Sequence, residues 1–148
     1  MAQERALAVK AWESLFRAQV TVMRRLAAEF PKGEVSLAEY DVLFTLSTQP
    51  GRRLRARDLG KQVLLTQPSV SRMTDRLVRR KLVSKCPDPG DGRGIIVQLS
   101  DEGFEVFRRA AATHMASIRE AVGGALTADE LTQLTALTDK LRRYQTTG

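Results

Sequence analysis

The sequence predicts a mostly α-helical chain carrying one small β-hairpin, and three observations predict it. Apolar residues recur at three-to-four spacing over most of the length, which is the period of a helix face. Two β-rich runs, Leu82-Val83 and Ile95-Ile96-Val97, break that period around Pro87, Pro89, Gly90, Gly92 and Gly94, as a hairpin does. Just before them, two helical stretches (56–62 and 67–80) are separated by only a few residues through Leu64 and Leu65, the spacing of a helix-turn-helix. With 148 residues the chain is long enough for one domain with a real core and short for two, so residues 1–148 read as a single domain.

The elements follow in order. Residues 4–30 carry two adjacent apolar stripes, Leu7, Ala11, Leu15, Ala18, Val22 and Leu26 beside Ala8, Trp12, Phe16, Val20 or Met23, and Phe30. That face is wider than one packing partner needs, so this helix is expected to touch its own domain and another chain. Pro31-Lys32-Gly33 ends it. Ser36 and Glu39 form a capping box that opens a second helix to about residue 47. Leu54 suggests a very short strand among arginines, and the helix pair follows. The hairpin is expected to have a long flexible tip. Ser100 caps the next helix, with Asp101 and Glu102 in its first turn and a stripe of Phe104, Phe107, Ala111, Met115, Ile118 and Val122. Thr127 and Glu130 form a second capping box, and Leu131, Leu134, Leu137, Leu141 and Tyr144 run down the last helix.

Charge narrows the function. There are 24 Lys and Arg against 17 Asp and Glu, a net +7. Between Arg52 and Arg93 lie 12 basic and 4 acidic residues, so the whole excess falls in the middle third. A basic module between near-neutral arms fits a polyanion partner. The competing reading is a solvated basic face. One cysteine, Cys86, makes no intramolecular disulfide, and the N-terminus lacks a signal-peptide core. No apolar run approaches the roughly 20 residues of a membrane span. A cytoplasmic protein is therefore expected, without membrane association. A single histidine and cysteine, and no phosphate loop, supply no nucleophile–base pair, no metal cluster and no cofactor motif, so no enzyme is expected. Aromatic content of 5% argues against an RNA-stacking platform.

On a helical wheel over 67–80, Val70, Met73, Thr74 and Leu77 share one side, while Arg72 and Arg79 point away with Ser69, Asp75 and Arg76 beside them. Arginines among short polar residues suit the DNA major groove, where guanidinium binds guanine O6 and N7 bidentately. At the hairpin tip, Arg93 stands among glycines and can enter a narrow minor groove. Asp91 beside a phosphate backbone makes sense if its carboxylate holds an arginine in place. The expected DNA-binding set is Arg55, Gln67, Ser69, Ser71, Arg72, Arg76, Arg79, Asp91 and Arg93.

The run from Leu37 to Gly103 resembles the DNA-binding domain of the MarR (multiple antibiotic resistance regulator) family. The match rests on Leu37-Ala38-Glu39-Tyr40-Asp41-Val42-Leu43, on Thr74-Asp75-Arg76-Leu77, on Leu82-Val83, and on Pro87-Asp88-Pro89 with Asp91-Gly92-Arg93. It closes with Leu99-Ser100-Asp101-Glu102-Gly103. The resemblance implies a winged helix-turn-helix lobe over 36–99, dimerisation helices over 4–30 and 101–146, and Arg93 in the minor groove. It implies a homodimeric transcription regulator, usually a ligand-responsive repressor, on a pseudo-palindromic double-stranded DNA operator. It further implies a cleft for a small aromatic or phenolic anion, bordered by Trp12, Phe16, Asp41 and His114, although ordinary packing is the favoured role for each of these four taken singly. Three positions depart from the family pattern. Lys81 replaces the usual glycine after the recognition helix and is expected to pay a left-handed backbone penalty. Gly92 replaces a frequent second wing arginine, and Cys86 occupies a position that is often basic.

Overall fold

The structure is a computed structural model that describes residues 1–63 and 65–147. Leu64, which the sequence places in the helix-pair connection, lies outside them. The element order is α1 (Ala2–Glu29), α2 (Leu37–Ser47), a 3₁₀ turn (Pro50–Arg52), β1 (Arg53–Arg55), α3 (Ala56–Gln62), α4 (Gln67–Arg79), β2 (Val83–Asp88), β3 (Asp91–Leu99), α5 (Asp101–Ile118), a π turn (Arg119–Gly123) and α6 (Ala128–Thr146). Both capping boxes form as their residue types require: Ser36 and Glu39 at α2, and Thr127 and Glu130 at α6, each exchange side-chain and backbone hydrogen bonds.

The chain divides into two compact units, one of Phe30–Thr113 and the other of Met1–Glu29 with His114–Gly148. In the first unit, the core gathers Val42, Leu43 and Leu46 of α2, Leu59 of α3, Val70 and Leu77 of α4 and Val97 of β3, all 2% exposed or less. An aromatic cluster closes one side of this core, with the Tyr40 ring 5.5 Å from Phe30 and 5.4 Å from Phe107. Burial pushes the Tyr40 hydroxyl above its ordinary pKa, and the Asp41 charge adds to the effect.

The sheet has the order β1-β3-β2 and is antiparallel throughout, with Leu54 opposite Val97, Lys85 opposite Val97, and Cys86 opposite Ile96. The long flexible tip expected from the prolines and glycines is not what forms. The strands run to Asp88 and Asp91, leaving Pro89-Gly90 as the turn. Pro87 is tolerated because β2 is an edge strand, where a missing N–H leaves no ladder bond unmade, and the register slips beside it.

Among the described residues, two that are not glycine hold positive φ. Lys81 has φ 62°, so the turn after α4 does carry the left-handed strain expected there. Arg52 has φ 54°, and its guanidinium lies 3.7 Å from the centre of the Phe104 ring, a cation–π contact that ties the 3₁₀ turn to α5.

The Leu99–Gly103 motif now has a physical reason. Ser100 Oγ donates towards the carbonyls of Lys81 and Leu82, at 2.7 and 2.9 Å, and accepts the Gly103 N–H at 2.9 Å. A Cβ at position 103 would sit 2.0 Å from the Leu82 carbonyl oxygen, so α5 can begin against the turn after α4 only with glycine there.

In the second unit, α1 and α6 expose much of their apolar stripes: Leu7, Trp12, Phe16, Leu137 and Leu141 are 46–65% accessible. A groove of about 610 Å³ runs between the helices, lined by Trp12, Leu15, Ala18, Leu134, Leu137 and Leu141 among others. Among the described residues no helix is long and apolar enough to cross a membrane.

Candidate nucleic-acid interface

Helix α4 starts from a chain of short polar contacts. Thr66 caps it, accepting the Ser69 N–H at 3.3 Å, and its hydroxyl donates to Ser69 Oγ at 3.0 Å. Arg72 in turn donates to Ser69 Oγ at 3.3 Å, which steers its guanidinium toward the helix N-terminus. Val70, Met73, Thr74 and Leu77 are buried, and Ser71, Arg72, Arg76 and Arg79 are exposed, the partition that the helical wheel gives. Gln67 is exposed, and its amide donates to the Arg57 carbonyl at 3.4 Å, a contact between α3 and α4.

Asp75, on the same helix, faces the wing. Lys85 of β2 forms an ion pair with its carboxylate, and the Lys85 hydrogen bond and charge hold the Asp75 carboxyl below the usual carboxylate range. The recognition helix and the hairpin are thereby joined by a charge-assisted contact as well as by packing.

At the wing, Arg93 is exposed. Its backbone N–H donates to Asp91 Oδ1 at 3.1 Å, an Asx-type turn. The sequence suggested that Asp91 grips an arginine side chain; among the described residues it instead shapes the backbone that presents Arg93. At the hairpin, among the described residues, the carboxylate paired with a guanidinium is that of Asp88. Its Oδ2 lies 2.7 Å from Arg55 Nε, and its Oδ1 accepts the Gly90 N–H at 2.9 Å. Asp88 is 5% exposed.

These groups surround a cavity of about 280 Å³ between the β1–α3 junction and the hairpin. Arg55, Arg57, Gln67, Asp88, Asp91 and Arg93 line it above an apolar floor of Ala56 and Ile95. Three arginines therefore line one concavity, and Arg55 is already ion-paired with Asp88. Sequence reading missed Arg57, Lys85 and Asp88, whose partners come from other strands and helices and share no local pattern with them.

The four residues suggested for a ligand cleft fall in different units. Trp12 and Phe16 lie one turn apart on α1, ring centroids 5.9 Å apart, and His114 is buried on α5 in the same unit. Asp41 is an exposed residue of α2 in the other unit.

Residues 34–94 match the model of the MarR family. The HTH-type transcriptional regulator PecS of Dickeya dadantii is 25% identical over 132 residues, spanning 88% of this chain and 79% of PecS. Sco3205 of Streptomyces coelicolor, a MarR family transcriptional regulator solved in complex with DNA, superposes with a TM-score of 0.77 at 29% identity, over 89% of this chain and 84% of that one. The PcaV transcriptional regulator of the same organism, solved with its natural ligand, is 30% identical, with a TM-score of 0.69, over 87% of this chain and 89% of PcaV. The chain belongs to the MarR family.

It is accordingly a winged-helix, DNA-binding transcription regulator, in a family of regulators rather than of enzymes. The MarR-family frame also gives the local features their places. The β2–β3 hairpin is the wing, with β1 paired to its β3 strand, α3 and α4 are the helix-turn-helix, and Ser100 with Gly103 is the joint between wing and α5.

Proposed function

We propose that this MarR-family chain acts in the cytoplasm as a homodimeric, ligand-responsive repressor on a pseudo-palindromic operator. Residues 67–80 enter the major groove, and Arg93 enters the minor groove. The observation that carries this reading is the exposed face of α4, where Ser69 and Arg72 are organised by the Thr66 cap at the end that goes deepest into a groove. Gln67, Ser71, Arg76 and Arg79 complete the major-groove and phosphate contacts, and Arg55 and Asp91 support the wing side. The exposed stripes of α1 and α6 support the homodimer, because a lone protomer would leave them in water. The ligand is a small aromatic or phenolic anion; PcaV, solved with its natural ligand, supports a ligand-responsive protein.

The test is selection of duplexes from a random-sequence pool, followed by anisotropy titrations on the selected and on scrambled DNA. A two-fold-related motif bound far more tightly than scrambled DNA is expected. Steep salt dependence with no sequence preference overturns the operator reading and leaves a nonspecific polyanion binder. On the selected duplex, Arg72→Ala is expected to cost about 1–3 kcal/mol and to relax preference at one base pair per half-site. Equal weakening on all sequences instead makes Arg72 a phosphate contact.

A further inference from the structure

We propose that Asp88 and Arg55 are a positioning pair that fixes the wing to the entry of the helix-turn-helix, and that Arg55 serves DNA binding through Asp88 rather than by touching DNA. The inference rests on the DNA-binding reading above and assigns Arg55 a different task within it.

Arg55 is the last residue of β1 and the N-cap residue of α3, so its backbone stands where the sheet hands the chain to the helix pair. Asp88 is the last residue of β2, at the edge of the wing turn. β3 lies between these two strands. A Cβ at Gly94 would come 3.1 Å from Asp88 Cβ and 3.3 Å from its Oδ2, so the bare backbone at Gly94 leaves the room in which the Asp88 carboxylate lies. The ion pair thus links the two outer strands across the central one.

The carboxylate is nearly sealed from water: Oδ1 accepts the Gly90 N–H at 2.9 Å, while Oδ2 takes no hydrogen bond among the described residues and is compensated by the Arg55 charge, with Nε 2.7 Å away. A buried carboxylate needs such a partner, because without one its desolvation is uncompensated. The same pairing fixes the direction of the Arg55 side chain and cancels its charge. A guanidinium so held displaces no counterion when DNA binds, whereas an arginine on a phosphate does. The Gly90 hydrogen bond carries the constraint into the turn, three residues before Arg93, so the pair sets where Arg93 is presented.

The experiment compares wild type, Arg55→Gln, Asp88→Asn and the double variant on the duplex that wild type selects from a random pool. Affinity is measured across a salt series, and hydroxyl-radical footprints are recorded. Both single variants are expected to weaken binding about tenfold, although they change the net charge in opposite directions. The double variant is expected to be no weaker than the single ones. The slope of log affinity against log salt is expected to stay at the wild-type value, while minor-groove protection at the wing fades and protection by α4 persists.

A slope reduced by about 0.9 in Arg55→Gln makes Arg55 a phosphate contact and overturns the pair's role. Tighter binding by Asp88→Asn, as charge counting alone requires, overturns it too. Arg55 is 45% exposed, so Arg55→Gln carries the test by slope and footprint even where Asp88→Asn fails to fold. A wild-type protein that selects no duplex at all defeats the DNA-binding reading itself, an outcome distinct from any change among the variants.

Discussion

Arg93 is the one basic residue from Pro87 through Gly94, because Gly92 stands where a second wing arginine is frequent. A minor-groove contribution therefore rests on one side chain. Arg93→Ala is expected to lower operator affinity while leaving the base preferences set by α4 intact, since a tip arginine senses groove width and potential more than base identity. Lysine at 93 keeps the charge but loses the planar fork and hydrates more strongly, so partial rescue is expected. Competition titrations against single-base operator variants check both, and a changed base preference in Arg93→Ala would make the wing a direct reader of sequence. The contact to the Arg93 backbone also separates two roles for Asp91. Asparagine keeps the acceptor oxygen and should bind much as wild type, whereas alanine removes it.

At the scale of elements, two different joints hold this unit together, one setting the start of α5 against the turn after α4 and the other tying β2 to α4. The first is steric. Gly103→Ala places a methyl group 2.0 Å from the Leu82 carbonyl, and backbone rather than a flexible side chain must yield. A loss of about 1–3 kcal/mol or more is expected in urea unfolding, and an unchanged midpoint would show that α5 can shift without cost. The second joint is electrostatic. The Asp75 carboxyl is held low by Lys85, so its contribution is present above the ordinary carboxylate pKa and is lost as pH falls through the lowered value of the folded state. Unfolding midpoints measured from neutral pH downward should fall on the acid side, and Asp75→Asn should remove part of that fall. An identical pH profile in the variant would mean that the ion pair does not outlast solvent competition at this exposed site.

For the whole molecule, the decisive surfaces are the ones left open. The apolar residues of α1 and α6 have the spacing of a packing face, yet Leu137 is 65% and Trp12 58% exposed. A second copy is the occupant that we propose, and Leu137→Asp is expected to shift sedimentation toward monomer and to weaken operator binding with it, because two half-sites need two lobes. A variant that stays dimeric at micromolar concentration would move the seam elsewhere. Both capping boxes and the partition of α4 were legible in the sequence, because each follows from the short period of a helix, while the strain at Lys81 was legible only through the MarR resemblance, which puts glycine there. The tightness of the wing was not legible. Proline and glycine weigh toward loop in any local reading, and only the edge position of β2 explains why a strand accepts Pro87.

By itself the sequence determined the helical periods, the caps, the basic middle third and the pattern that marks the MarR family, since these are properties of neighbours along the chain. The tertiary structure decided which carboxylate holds which arginine. Asp91 is the nearer acid to Arg93 in sequence, but its oxygen is within reach of a backbone N–H. Asp88 and Arg55 are separated by 32 intervening residues and meet only because β3 inserts between their strands and carries glycine at position 94. An ion pair is chosen by distance and desolvation in space, and neither is written in the spacing of residues along the chain.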